Sequence, residues 1–149
     1  MKIINKILMA FAFVVALVGT PAAASDDDVW RLVLQVSDND PGTFTKVLNN
    51  ASNFSAAMLE AGNEYEIEIV AWNAGLHLFR ADTSTEAERV AAFSSSIPNL
   101  TFSACGNTIQ NMSKKEGIEI QLIEGVRVVP GGILRATELV RDDWVLIRP

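Results

Sequence analysis

The sequence predicts an α/β fold, a three-layer arrangement in which a five-stranded, mostly parallel sheet carries helices on both faces. Three observations predict it. Short apolar, β-branched runs alternate with segments of helical spacing in the order β-α-β-α-β-α-β-α-β, the pattern of parallel strands joined by helical crossovers. The first run, Trp30 to Val36, is apolar at nearly every position, as in a strand buried on both faces. No repeat, low-complexity block or internal linker divides the chain beyond its N-terminal leader, so residues 25–149 are expected to form a single domain.

The leader comes first. Lys2 and Lys6 precede an unbroken apolar run from Ile7 to Val18, and Gly19-Thr20-Pro21 then leads to Ala22-Ala23-Ala24. A basic start, a short apolar core and small residues at the end have the layout of a secretory signal. The run is shorter than the ~20 residues that a membrane-spanning helix needs. Residues 1–24 are therefore expected to be a signal peptide cleaved after Ala24, giving a periplasmic protein with no membrane attachment. The leader holds two basic residues and no acid, so its removal makes the chain more acidic than its net charge of −6. A chain this acidic is expected to avoid nucleic acid and anionic membrane surfaces.

The elements follow in order. After the strand Trp30–Val36, Asp40 followed by Pro41 suits a helix N-cap with proline at the first helical position. Phe44, Val47, Leu48, Ala51, Phe54 and Met58 keep helical spacing as far as Gly62, a good stop. Residues 65–72 read as a second strand, in which Glu66 and Glu68 alternate with apolar residues. Residues 73–82 form a connection with room for one helical turn, with Leu76 and Phe79 inward and His77 outward. Thr83 and Glu86 fit a capping box for a helix to about Ser95. Residues 100–104 are a short third strand, and Cys105-Gly106-Asn107-Thr108 leads into a helix that Asn107 or Thr108 would cap. The stretch 117–124 is open between strand and loop. Val126 to Val129 is a fourth strand, ended by Pro130-Gly131-Gly132. A last helix over Ile133 to Val140 and a last strand over 144–147 complete the chain.

Ligands of open parallel sheets bind outside the carboxyl ends of the strands. The segments 37–39, 73–78, 105–107 and 130–132 are expected to converge there. Cys105 is the only cysteine, so any disulfide chemistry is intermolecular. At the start of a helix, unpaired N–H groups and the helix dipole stabilise a thiolate. Cys105 is thus the candidate reactive residue, with Gly106, Asn107, Thr108, Ser37, Asn73 and His77 as candidate binding residues. The competing reading is a buried cysteine that acts as a small hydrophobe. No Cys/His cluster has metal-ligand spacing, and no phosphate-cradling or dinucleotide motif follows the first strand. Neither metal nor cofactor is expected.

Phe102-Ser-Ala-Cys-Gly-Asn-Thr108 resembles exported members of the DsrE/DsrF-like sulfur-relay family. Leu34-Gln-Val-Ser-Asp-Asn-Asp-Pro41, Leu48-Asn-Asn-Ala51, Gly125-Val-Arg-Val-Val-Pro130 and the closing Ile147-Arg-Pro149 add to the resemblance, which spans the predicted mature domain. It implies a three-layer α/β/α fold with a five-stranded parallel core, assembly as a homo-oligomer (trimer or hexamer), and sulfur carried as a persulfide on Cys105. The expected partners are small sulfur species or the thiol of a partner protein, and the expected role is sulfur transfer rather than enzymatic turnover. Export separates the chain from cytoplasmic relay partners, and it has no second cysteine to resolve a persulfide internally. Two other functions compete. One is a non-enzymatic ligand-binding or assembly module with an inert Cys105. The other is a hydrolase or peroxidase that pairs Cys105 with His77.

Overall fold

The computed structural model describes residues 28–149; the expected signal peptide lies outside the described residues. Five strands form one parallel sheet in the order β4-β3-β2-β1-β5. They are β1 (Trp30–Val36), β2 (Tyr65–Ala71), β3 (Leu100–Cys105), β4 (Val126–Val129) and β5 (Val145–Ile147), connected by α1 (Pro41–Ala61), α2 (Ala87–Ser96), α3 (Gly106–Glu116) and α4 (Gly132–Arg141). A 3-10 turn over Asn73–Leu78 follows β2.

The two faces of the sheet are covered unequally. Alternate side chains of a strand point to opposite faces. Leu34, Ile67, Ile69 and Phe102 point to one face, where Phe44, Val47 and Leu48 of α1 and Val90 of α2 cover them, joined by Ile109 and Met112 of α3. The other face carries Val33, Val70, Trp72 and Cys105, packed against Ala136 and Leu139 of α4. Burial on both faces explains why Leu32, Val33 and Leu34 at the centre of β1 are apolar in succession. At about 25 cal/mol per Å², such burial is the main force that holds the layers together.

The ends of α1 are set by local chemistry. The Asp40 carboxylate accepts from the Gly42 N–H at 3.3 Å and the Thr43 N–H at 2.9 Å. At the other end Gly62 takes the left-handed conformation, φ 69°, and its N–H reaches the Leu59 carbonyl at 3.2 Å. Both agree with the sequence reading.

Two expectations are corrected, and one open reading is decided. Thr83 and Glu86 do not form a capping box. Helix α2 starts at Ala87 with Glu86 at its N-cap and no side-chain cap; Thr83 Oγ1 is instead hydrogen-bonded to His77 Nδ1 at 2.8 Å, and Glu86 accepts from the Thr45 hydroxyl. Nor does Asn107 or Thr108 cap α3, whose N-cap residue is Cys105. The stretch 117–124 is a loop, and its one ladder contact is an isolated antiparallel bridge between Leu122 and Arg80. The alternation of Ile118, Ile120 and Leu122 had left a strand possible. In the fold, Ile120 and Ile123 are buried as plugs beneath the loop.

Arg80 is fully buried beside that bridge. Its guanidinium binds Asp82 at 2.6 and 2.9 Å and Glu116 at 2.7 and 2.8 Å. Two fork-shaped contacts satisfy a charge that burial would otherwise penalise. They tie the end of the 3-10 turn to the end of α3.

Candidate functional site

Cys105 ends β3 and is the N-cap residue of α3. Its side chain points to the face that α4 covers, and the residue is only 5% exposed. Two helix N-termini, those of α3 and α4, therefore meet at one sulfur. Helix starts carry unpaired N–H groups and partial positive charge.

Burial pushes the Cys105 thiol up. The Thr108 hydroxyl and the backbone N–H groups of Gly132, Thr108 and Asn107 act in the opposite sense and prevail, holding the thiol below its ordinary value. Hydrogen bonds to the charged form outweigh desolvation here. Thr108 is oriented for this role. Its Oγ1 accepts from the Asn73 N–H at 3.0 Å, which leaves the hydroxyl proton available to the sulfur. Asn73 adopts φ 49°, a left-handed conformation that asparagine tolerates better than most residues.

Gly132 makes the approach of α4 feasible. A Cβ there would lie 2.9 Å from Trp72 Cβ and Cε3 and 3.2 Å from Cys105 Cβ. With hydrogen alone, the first turn of α4 settles onto Trp72 and brings its N–H to the sulfur. Gly106 is also tight, since a Cβ there would lie 3.1 Å from the Val129 carbonyl oxygen.

A cavity of about 280 Å³ opens at the thiol. Asn73, Cys105, Asn107 and Thr108 line it, together with Asn111, Trp72 and the Gly131–Leu134 start of α4. No charged side chain lines it. Three of the four segments expected at the sheet's carboxyl edge thus contribute to one cavity. Gly106 sits behind it, against β4.

Ser37 and His77 are not part of this lining. Ser37 follows β1, where its backbone packs against Gly75. His77 points away and is bonded to Thr83. The Cys–His arrangement needed for a histidine-activated thiol is therefore not formed. No group of His, Cys, Asp and Glu among the described residues is placed to hold a metal ion, and no helix among them is long and apolar enough to cross a membrane.

One charged cluster escaped the sequence reading. Glu68 lies in the middle of β2 and is 1% exposed. Its carboxylate accepts from Ser103 at 2.6 Å, from Arg127 at 2.8 Å and from Arg135 at 2.9 and 2.8 Å. Burial pushes its pKa up, but the bonds from Arg135, Ser103 and Arg127 prevail and hold it below the usual glutamate range. The signal was present in the parallel register: Ser103 is paired with Val70 and with Arg127, so a strand order would have put Glu68, Ser103 and Arg127 on one face. The cluster pins α4, through Arg135, to the same face that holds the thiol.

No family model matches the chain, and no curated protein matches it. Among solved structures, a protein of unknown function from Methanobacterium thermoautotrophicum is similar, with a TM-score of 0.66 at 25% sequence identity. The match covers 80% of this chain and 99% of that one. The chain therefore has an α/β fold, with an all-parallel five-stranded sheet between helices, that it shares with this archaeal protein.

Proposed function

We propose that the protein is an exported, single-thiol sulfur carrier of the DsrE/DsrF-like kind, with Cys105 as the acceptor. The observation that carries this reading is the set of donors around one sulfur: the Thr108 hydroxyl and the N–H groups of Gly132, Thr108 and Asn107, which hold the thiol below its ordinary value. The same donors suit a persulfide anion. In the step, the Cys105 thiolate attacks the outer sulfur of a donor R–S–SH. A new S–S bond forms on Cys105, the donor's S–S bond breaks, and R–S⁻ leaves. The reverse attack by an acceptor thiol unloads the sulfur. The absence of a second cysteine makes both steps intermolecular.

Mass spectrometry of the protein after exposure to polysulfide or thiosulfate tests the reading. A gain of one or more sulfur atoms is expected on the wild type and not on Cys105→Ser. No gain, or an equal gain on both, overturns it. The burial of Cys105 favours a second reading, a ligand-binding or assembly module with an inert thiol. A native thiol that resists alkylation until the chain unfolds would select that reading.

A further inference from the structure

The cavity at Cys105 has two unlike walls. On one side stand Asn73, Asn107 and Asn111, and on the other Trp72, Ile133 and Leu134. Among the described residues no side-chain hydrogen bond takes up the carboxamide of any of these three asparagines. A carboxamide offers a donor and an acceptor together, as a peptide group does. No charged side chain in the lining selects a carboxylate or an ammonium group. The wall suits uncharged amides.

The spacing of the carboxamides adds to this. Asn107 and Asn111 are four residues apart on α3, so their Cβ atoms lie about 5–6 Å apart on one face of the helix. Alternate residues of an extended chain recur every ~6.6 Å. Two neighbouring carboxamides can therefore pair with main-chain groups of alternate residues on one side of an extended segment. Asn107 Nδ2 lies 3.7 Å from where a Cβ on Gly131 would stand, so this amide reaches towards the start of α4, where such a segment would lie.

The apolar wall continues into a second cavity. It measures about 330 Å³, shares Trp72 and Ile133 with the first, and is lined further by Ala136, Val140 and Leu146. It suits an apolar side chain next to the residue whose sulfur meets Cys105. Cys105 is only 5% exposed, so the partner sulfur has to reach it inside the cavity. At about 280 Å³, that space is at the small end of ligand pockets, about 300–1,000 Å³. A short chain enters it; the surface of a folded domain does not. We propose that the sulfur partner of Cys105 is a short cysteine peptide bound in extended form. Asn107 and Asn111 read its main chain, and the apolar cavity beside Ile133 takes the side chain next to its cysteine. The inference rests on Cys105 as the reactive thiol of the proposed function. It makes the donor R–S–SH a peptidyl persulfide, from which the peptide thiolate R–S⁻ leaves.

Thiol–disulfide exchange tests the recognition without requiring sulfur carriage. The protein is treated with two disulfides. One joins an end-blocked cysteinyl-leucine dipeptide to 2-mercaptoethanol, and the other is the disulfide of 2-mercaptoethanol alone, which has no amide. In each case the Cys105 thiolate attacks one sulfur, a mixed disulfide forms and one thiolate leaves. The loss of free Cys105 is followed by mass spectrometry, and each rate is divided by that of a small free thiol with the same disulfide. The dipeptide disulfide is expected to react roughly tenfold faster after this correction, the gain from two net hydrogen bonds. The ratio is expected to fall towards one in the double variant Asn107→Leu, Asn111→Leu. A ratio of one in the wild type, or a ratio that the two leucines leave unchanged, overturns the proposal. So does a thiol that exchanges with neither disulfide, and so does equal exchange with the same dipeptide held in a surface loop of a folded carrier protein. If the variant misfolds, N-methylation of the dipeptide's main-chain amides takes its place, and an unchanged rate overturns the proposal. A preference for the dipeptide without sulfur gain on the wild type supports this recognition and removes the persulfide reading.

Discussion

Thr108 links backbone geometry to thiol chemistry. Its hydroxyl oxygen is occupied by the Asn73 N–H, so its proton is directed at the sulfur. Thr108→Val keeps the shape and removes that donor. A hydrogen bond to a charged group contributes about 1.5 kcal/mol. The midpoint of Cys105 alkylation against pH is therefore expected to rise in Thr108→Val. An unchanged midpoint would remove the hydroxyl from the site. The place of Cys105 between a strand and a helix was legible in the sequence because Leu100, Phe102 and Ala104 alternate with Thr101 and Ser103, and Gly106 follows the thiol. The role of Thr108 was only half legible: it was read as a helix cap, whereas its oxygen serves Asn73, which is 35 residues away. His77 was expected outward and is bonded to Thr83, far from the role of a base for Cys105.

Helix α4 is the element that completes the site. It brings the Gly132 N–H to the sulfur and Arg135 to Glu68. A methyl group at Gly132 meets Trp72 below the normal contact distance, and overpacking of this kind costs about 1–3 kcal/mol. Gly132→Ala is expected to lower the unfolding free energy measured in urea by that amount and to slow alkylation of Cys105 at neutral pH, because the helix start is pushed off the thiol. Loss of stability with unchanged alkylation would show that the contact is only packing. Strand and helix positions were legible because periodicity and terminal residues are local signals, as Asp40, Pro41 and Gly62 show around α1. The start of α2 was not. Thr83 and Glu86 have the right spacing for a capping box, but His77 and Thr45 take up their side chains, and no local pattern reveals competitors that come from other segments. The buried Arg80 was illegible for the same reason, since Glu116 lies 36 residues from it.

Across the whole molecule, Glu68 ties β2, β3, β4 and α4 together, so the pH dependence of stability should report it. Its folded-state pKa is depressed. The stability it contributes is therefore fully present above the unfolded value, about 4.3, and is lost as pH falls through the lower folded value. Glu68→Gln leaves Arg127 without its counter-charge and Arg135 with Glu138 alone, at 3.9 Å. Breaking a buried pair costs about 3–5 kcal/mol, but Arg127 is half exposed, so a loss of roughly 2 kcal/mol is expected at pH 7. Chemical denaturation at pH 7 and pH 3 checks this: the variant should lose stability at pH 7 and show a smaller difference between the two pH values than the wild type. An unchanged difference would assign the acid sensitivity to other carboxylates. The unequal cover of the sheet has a kinetic consequence as well. Among the described residues three helices cover one face, whereas α4 alone covers the face with the thiol, so that layer is expected to open at a lower free energy than the main core. If Cys105 takes up sulfur as proposed, a thiol beneath a single helix acts as a timer: a large partner is expected to wait for α4 to open, whereas a molecule small enough for the cavity is not.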